Sequence, residues 1–464
     1  MIAAADFDNH YDAPCEGRRS LVSSAAKFAS MQSFHRKLAF ALVALATATI
    51  SSTARAEQAS VVAKQAAKGQ VVDPPAGDAG LAPIEIDEAD VPLSDSEQQH
   101  GVGCADYCEP IGLGKRWWAR AEYLGWGSEG MFVPALITTS PAGTASTDAG
   151  VIGEPGTGVV FGNGHMNDNV RSGGRFELGT WFHPEQLDGI GVTYTFLGER
   201  TDSYRASSAE YAILSRPFFN VSSGAQDARI IVYPGLASGS VAVSSENQFQ
   251  SLALDYRRRG VRSGRFQIDY LLGYMFAEFD ESLFIRDSSL SLSGVTQGTL
   301  IEIEEAFESK NSFHGAAFGI MAREELSDRW VGDVFAKGAL GGVYSRTEIS
   351  GQTDTTINGA TTTTPGGLLT QASNIGDHRD GYVSSYWELG LKLRRRLGMN
   401  STLSFGYSWV LLSHVERAGE QIDLGVNVTQ IPPGVLVGEA RPGFPEAKSS
   451  YWAQGLSVGL ECQF

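Results

Sequence analysis

Trp117-Trp118-Ala119-Arg120-Ala121-Glu122-Tyr123 alternates strictly: Trp117, Ala119, Ala121 and Tyr123 share one face of an extended chain, and Arg120 and Glu122 the other. A period of two marks a strand, because successive Cβ atoms point to opposite faces; a helix needs apolar residues three and four apart. The pattern recurs. Phe176, Leu178, Thr180 and Phe182 oppose Arg175 and Glu177, and Ile190, Val192, Tyr194 and Phe196 oppose Thr193 and Thr195. Leu252, Leu254 and Tyr256 oppose Ser251, Asp255 and Arg257, and the run from Phe266 to Tyr274 opposes Arg265, Gln267 and Asp269. Ala316 to Ile320 and Trp330 to Leu340 follow, the latter against Asp333 and Lys337. Trp387 to Leu393 opposes Glu388, Lys392 and Arg394; Leu403 to Leu411 opposes Ser404 and Ser408; Trp452 to Phe464 opposes Ser457 and Glu461.

These segments predict about ten antiparallel strands, twelve being the alternative. The connections between them alternate in length. Short ones lie at 184–189, 259–264, 324–328 and 397–401, and long ones at 128–174, 198–246, 283–309, 350–382 and 415–449. A soluble two-layer sandwich gives no reason for that rhythm, whereas a single transmembrane barrel does, with short periplasmic turns and long external loops. Trp452 and Phe464 share the apolar face of the last strand. At ~3.3 Å per residue and a ~40° tilt they stand roughly 30 Å apart along the barrel axis, near the ~25 Å band between aromatic girdles. The expected fold is therefore an all-β outer-membrane barrel over residues 116–464.

An apolar outer face forces the charges inward, since Arg or Lys facing lipid at mid-depth costs ~2–4 kcal/mol. The expected lumen-facing set is Arg120, Glu122, Arg175, Glu177, Asp255, Arg257, Arg265, Asp269, Asp333, Lys337, Glu388, Lys392 and Arg394, with Glu461 on the same polar face. Such a set either lines an ion-selective pore or fills a narrow lumen with neutralised pairs. Barrels of about eight strands can be filled by side chains and those of 16–18 hold water, so ten favours filling.

Upstream, Met31-Gln-Ser-Phe-His-Arg-Lys37, the apolar run 38–50 and Ala54-Arg55-Ala56 have the three parts of a secretory signal peptide. Residues 1–30 then read as an over-extended start and 31–56 as the signal, with cleavage between Ala56 and Glu57. Residues 57–115 carry 11 acidic and 3 basic side chains and one aromatic, Tyr107. They are expected to be a disordered acidic periplasmic segment. Cys104 and Cys108 suit a small local disulfide in an oxidising compartment, with free thiols as the alternative; the spacing is a poor zinc site.

Several motifs, taken in order, resemble one family. They are Trp117-Trp-Ala-Arg-Ala-Glu-Tyr-Leu-Gly-Trp126, Val133-Pro-Ala-Leu-Ile-Thr-Thr-Ser-Pro141, Gly150-Val-Ile-Gly-Glu-Pro-Gly-Thr157 and Val160-Phe-Gly162. Gly174-Arg-Phe-Glu-Leu-Gly-Thr-Trp-Phe182 and Ser215-Arg-Pro-Phe-Phe-Asn220 complete the series. It resembles the seventh putative β-barrel porin family of bacterial outer membranes. The resemblance implies an exported outer-membrane barrel and supplies no catalytic residues. Phe464 resembles the terminal aromatic that serves as an assembly signal in such barrels.

The expected function is a porin-like channel for small solutes or cations. A filled structural or adhesive barrel is the alternative, and an enzyme built on His378 or His414 the weakest reading. No cofactor, metal or nucleic acid is expected; the expected partners are the lipid bilayer, the barrel-assembly machinery and, if the lumen is open, small solutes or ions. Residues 116–464 carry 27 basic and 38 acidic side chains, net −11. Acidic loops such as 301–305 would therefore bias an open mouth toward cations.

Overall fold

The computed structural model describes residues 116–431 and 434–464. The expectations for residues 1–115, including the signal cleavage after Ala56, Glu57 as the mature start and the Cys104–Cys108 disulfide, lie outside the described residues. Ten long strands dominate: β1 (Trp117–Ser128), β2 (Arg171–Trp181), β3 (Asp188–Ser207), β4 (Ala237–Ser263) and β5 (Phe266–Ser291). They continue with β6 (Leu300–Glu325), β7 (Trp330–Ile357), β8 (Gly376–Arg396), β9 (Ser401–Glu416) and β10 (Lys448–Gln463). Each pairs antiparallel with its neighbours in sequence, and the ring closes where β1 pairs with β10 from Trp118 opposite Gln463 to Ser128 opposite Ala453. Closure removes the free edges that an open sheet would expose in lipid.

The alternating phase places one apolar set outward. Tyr123, Phe176, Leu178, Leu254, Leu272, Tyr274, Phe318, Leu340, Phe405, Leu456 and Leu460 all stay exposed on the barrel wall. On β6 the outward run from Ala322 to Ser312 covers about ten residues, ~33 Å along the strand and ~25 Å along the membrane normal, the height of the hydrocarbon band. Outward charges begin immediately above it, at Glu278, Lys310 and Arg346, half or more of the latter two side chains being exposed.

The long connections are shorter than the sequence reading placed them. They span 129–170, 208–236, 292–299, 358–375 and 417–447, because β4 to β7 run 26 to 28 residues and project far beyond the band. Residues 301–305 therefore belong to strand β6 and not to a loop. Above the membrane the strand faces reverse their polarity. Leu283, Ile285, Ile303, Phe307, Ile349, Val241 and Val243 point inward and are buried, so this part is built like a soluble protein. Residues of the connections, among them Met131, Leu136, Ile137, Leu214, Phe218, Leu368 and Leu369, pack into the cup so formed. The result is an extracellular head with its own apolar core.

Candidate functional site

The interior of the ring is stacked in layers. At the periplasmic end lies an ionic layer. Arg120 on β1 donates to Glu177 on β2 (2.8 Å) and to Glu461 on β10 (2.5 Å). Arg394 on β8 bridges Asp333 (2.6 Å) and Glu461 (3.4 Å), and Arg323 on β6 reaches the other Asp333 oxygen at 3.1 Å. Arg257 approaches Glu177 at 3.4 Å. Slightly higher, Arg175 bridges Glu388 (2.5 Å) and Glu122 (3.7 Å), Lys392 binds Glu122 (2.6 Å), and Lys337 pairs with Asp255. Asp269 is buried and accepts from Gln267 at 2.6 Å.

These contacts run across the barrel as well as between adjacent strands, so the layer cross-braces the wall. Counted by name, Arg120, Arg175, Arg257, Arg323, Lys337, Lys392 and Arg394 face Glu122, Glu177, Asp255, Asp269, Asp333, Glu388 and Glu461. The interior net charge of this set is zero, although the chain as a whole is strongly acidic. Arg265 is a correction to the expected set: it sits in the turn after β4, 62% exposed beside the exposed Asp328. Alternation fails there because the chain has already left the strand. Glu461 lies in the layer, and Arg323, which shares the inward parity of its strand and was not in the expected set, joins it.

Above the charges the lumen is apolar. Leu124, Trp126, Leu197, Phe249, Met275, Phe279, Phe313, Tyr386, Val410, Leu412 and Tyr451 fill it, none more than about 2% exposed. Phe279 and Tyr451 stack with centroids 4.1 Å apart, and Phe249 leans on the same Tyr451 ring at 5.4 Å. Arg175 lies 5.3 Å over the Trp126 ring, which joins the two layers. Inward glycines make room for the rings: a Cβ at Gly179 would collide with Trp118, and one at Gly390 with Phe335. Among the charges lies a cavity of about 60 Å³ lined by Trp118, Asp255, Lys337, Glu388 and Lys392 among others. That is room for a few waters.

A second polar layer closes the top. Arg417 donates twice to Glu281 (2.7 and 3.1 Å), and the Asn311 amide side chain both donates to the Glu416 carbonyl (2.8 Å) and accepts from its N–H (2.9 Å). Ser345 and Thr347 bind the Glu416 carboxylate at 2.9 and 2.8 Å. Within the head, Arg216 binds Asp287 (2.8 Å) and Glu305, all three buried, and Glu305 also accepts from the backbone of Leu369 and Thr370. Glu305 was expected at an acidic mouth; it is instead an internal counter-ion, because its strand continues with the inward face buried.

His378 stacks on Phe444 at 4.0 Å, with its Nε2 2.9 Å from the Asn374 carbonyl oxygen, and His414 takes a left-handed φ of 52° where the β9–β10 register slips. Phe464 closes the seam with Trp117 through two backbone hydrogen bonds of 2.9 and 3.2 Å.

The sequence matches the family described as Putative beta barrel porin-7 over residues 118–464. The chain belongs to that family. The match covers the whole ring and its head, which agrees with a fold of outer-membrane type. No curated protein sequence matches the chain. Among solved structures, the outer membrane protease OmpT from Escherichia coli aligns over 75% of this chain and 97% of its own, at 8% identity and a TM-score of 0.34. A Pseudomonas aeruginosa FadL homologue aligns over 75% and 90% at 9% identity and 0.20, and the P. putida toluene transporter TodX over 75% and 90% at 8% and 0.18.

Proposed function

We propose that this porin-7 family barrel is closed to passive diffusion and serves the outer membrane as a structural or adhesive surface element, presenting its built extracellular head. The observation that carries this reading is the apolar layer. Trp126, Phe249, Phe279, Phe313, Tyr386 and Tyr451 occupy the bore between two hydrogen-bonded polar layers. A water-filled path would require these rings to leave a close-packed interior, where even one large-to-small change costs several kcal/mol. The neutral ionic layer supports the same reading. All its members except Asp269 are ion-paired within the set, so little unpaired charge remains to attract a permeant ion.

The second reading, a channel for small solutes, rests on the family description. It needs the head connections to withdraw and the aromatic layer to part together. Proteoliposome swelling with sugars of graded size separates the two. A sealed barrel gives the rate of protein-free vesicles for every sugar, and a size-dependent rate above that background overturns the proposal.

A further inference from the structure

Above Ile349 the wall of the head continues as a hairpin. β7 runs on to Ile357, Asn358 and Gly359 turn the chain with φ of 52° and 81°, and the short strand Ala360–Pro365 returns against Gln352–Ile357. Two left-handed residues in a two-residue loop make a type I′ turn, which fixes the phase of the ladder: Ile357 and Ala360 form a hydrogen-bonded pair, and every second pair repeats it. Gly366, donating to the Gly351 carbonyl at 2.9 Å, lies in the same phase. The main-chain groups of Ala360, Thr362 and Thr364 therefore point to β7, and those of Thr361 and Thr363 point away from it.

Among the described residues no other strand meets that side. β8 pairs with β7 only from Ile349 opposite Gly376 downward, and 360–365 pairs with β7 alone. Thr361, Thr362 and Thr363 are exposed, and the amides and carbonyls of Thr361 and Thr363 make no further backbone hydrogen bond among the described residues. The usual protections of a free edge are missing: the strand has no charge and no bulge, and Pro365, whose absent N–H falls on the open side, only marks where the edge ends. The edge also stands clear of lipid. Thr361 lies in the row of Thr356, Leu300 and Leu290, ~40 Å along the strand from Glu278 and ~30 Å above the hydrocarbon band. Open N–H and C=O groups in the spacing of a β ladder match another extended chain.

Charge narrows the occupant. In the outward row, Glu302 on β6 stands directly opposite Asp354 on β7, and Asp354 opposite Thr363, whose hydroxyl donates to it at 2.5 Å. Like charges placed opposite each other destabilise a sheet, and neither carboxylate has an ion pair among the described residues. An added strand puts its next outward side chain ~10 Å from Asp354 at the backbone, within reach of lysine or arginine. A second copy of the chain does not supply that cation: antiparallel self-pairing about Thr362 extends the row with Thr361, Thr356 and Leu300, all uncharged.

We propose that the free edge at Thr361–Thr363 takes an extended, basic segment of a partner protein outside the cell by β-strand addition. The main-chain bonds hold the segment, and Asp354 and Glu302 select lysine or arginine on its outward face. The inference rests on the reading of the head as an adhesive element and names the chemistry of what it holds.

The test uses the full processed barrel in detergent micelles and acetylated fluorescent peptides: alternating Lys and Val, the same peptide N-methylated on its Lys residues or on its Val residues, and alternating Glu and Val. With Lys outward opposite Thr363, only the Lys amides face the edge. The plain and Val-methylated Lys peptides should therefore bind, the Lys-methylated one about tenfold or more weakly, and the Glu peptide least. Thr361→Pro removes an edge-facing N–H that the hairpin does not use and should weaken the Lys peptide about fivefold. Asp354→Asn should narrow the preference for Lys over Glu about threefold. Heat-modifiable gel mobility and hydrogen exchange across 350–365 show that each variant keeps its barrel and hairpin. No binding of the Lys peptide, equal binding of the Lys-methylated peptide, a Glu peptide bound as well as the Lys peptide, or wild-type affinity in Thr361→Pro would each overturn the proposal. So would concentration-dependent self-association lost in Thr361→Pro without peptide binding, since the edge would then serve a second copy. Vesicle swelling reports the bore separately: solute flux with peptide bound counts against the sealed bore and for the edge.

Discussion

Arg216→Leu removes the one cation that ties the 208–236 connection to both β5 and β6. In the head Arg216 is 1% exposed, with Asp287 2.8 Å from one guanidinium nitrogen and Glu305 bound to the other. Breaking a buried pair by deleting one partner costs ~3–5 kcal/mol, because a desolvated charge is left behind. Here the lower end applies. Asp287 keeps Arg229 at 3.1 Å, and Glu305 keeps the Leu369 and Thr370 amides and the Thr370 hydroxyl. A loss of about 3 kcal/mol raises the open population of the connection roughly a hundredfold. Hydrogen exchange by mass spectrometry reads that directly. Amides of 214–220 and 225–232 should exchange about a hundredfold faster, while those of β1 and β10 at the membrane level keep their wild-type rates. Replacing Arg216, Asp287 and Glu305 together by apolar residues should recover much of the loss. Unchanged exchange in the connection, or an equal acceleration throughout the barrel, would refute the reasoning.

Other expectations concern the wall, the seam and acid. Leu456→Arg, at a 69% exposed site midway down the outward face of β10, should cost ~2–4 kcal/mol in folding titrations into vesicles, and a change under ~0.5 kcal/mol would argue against a lipid-facing position. Deleting Phe464 removes both backbone bonds that seal β10 to Trp117, so outer-membrane levels should fall and periplasmic protein accumulate in fractionated cells; unchanged surface levels would contradict an assembly role. Asp377, above the band, is held down to about 2 by hydrogen bonds from Arg379 and then Arg346. A depressed carboxylate contributes stability above its unfolded pKa of ~3.9 and loses it as pH falls through the folded value. Asp377→Asn should therefore be slightly less stable than wild type at pH 6 and indistinguishable near pH 1 in denaturant titrations.

How much of this was legible in the chain depends on which side of the membrane boundary is considered. Within the band the period-two segments placed all ten strands and the inward parity of Arg120, Glu122, Lys337 and Arg394, because apolar residues outward and charges inward leave strong alternation. Above the band the alternation persists with its phase inverted. In β5 the outward apolar run Tyr270, Leu272, Tyr274 and Phe276 occupies even positions and gives way to acidic and polar residues at Glu278, Asp280 and Ser282, while the inward odd positions Ala277, Phe279, Leu283 and Ile285 are apolar and the pairing with β6 continues without a slip. A search for apolar outward faces stops at that switch and assigns the rest to loops. That is how 301–305 came to be expected at an open mouth and Glu305 among solvated charges. The parity switch was itself visible and marks the outer boundary of the membrane. The closing layer was harder to see, since Trp126, Phe279 and Tyr451 reach one another only after the ring has closed across strands far apart in sequence.

The central claim is that the bore is shut, and single-channel recording of the refolded wild-type protein in a planar bilayer tests it most directly. The packed aromatic layer predicts a baseline current at moderate voltage, with no steps beyond those of a protein-free membrane. Regular conductance steps of uniform size, in either cation or anion gradients, would contradict a sealed lumen and return the protein to the channel reading.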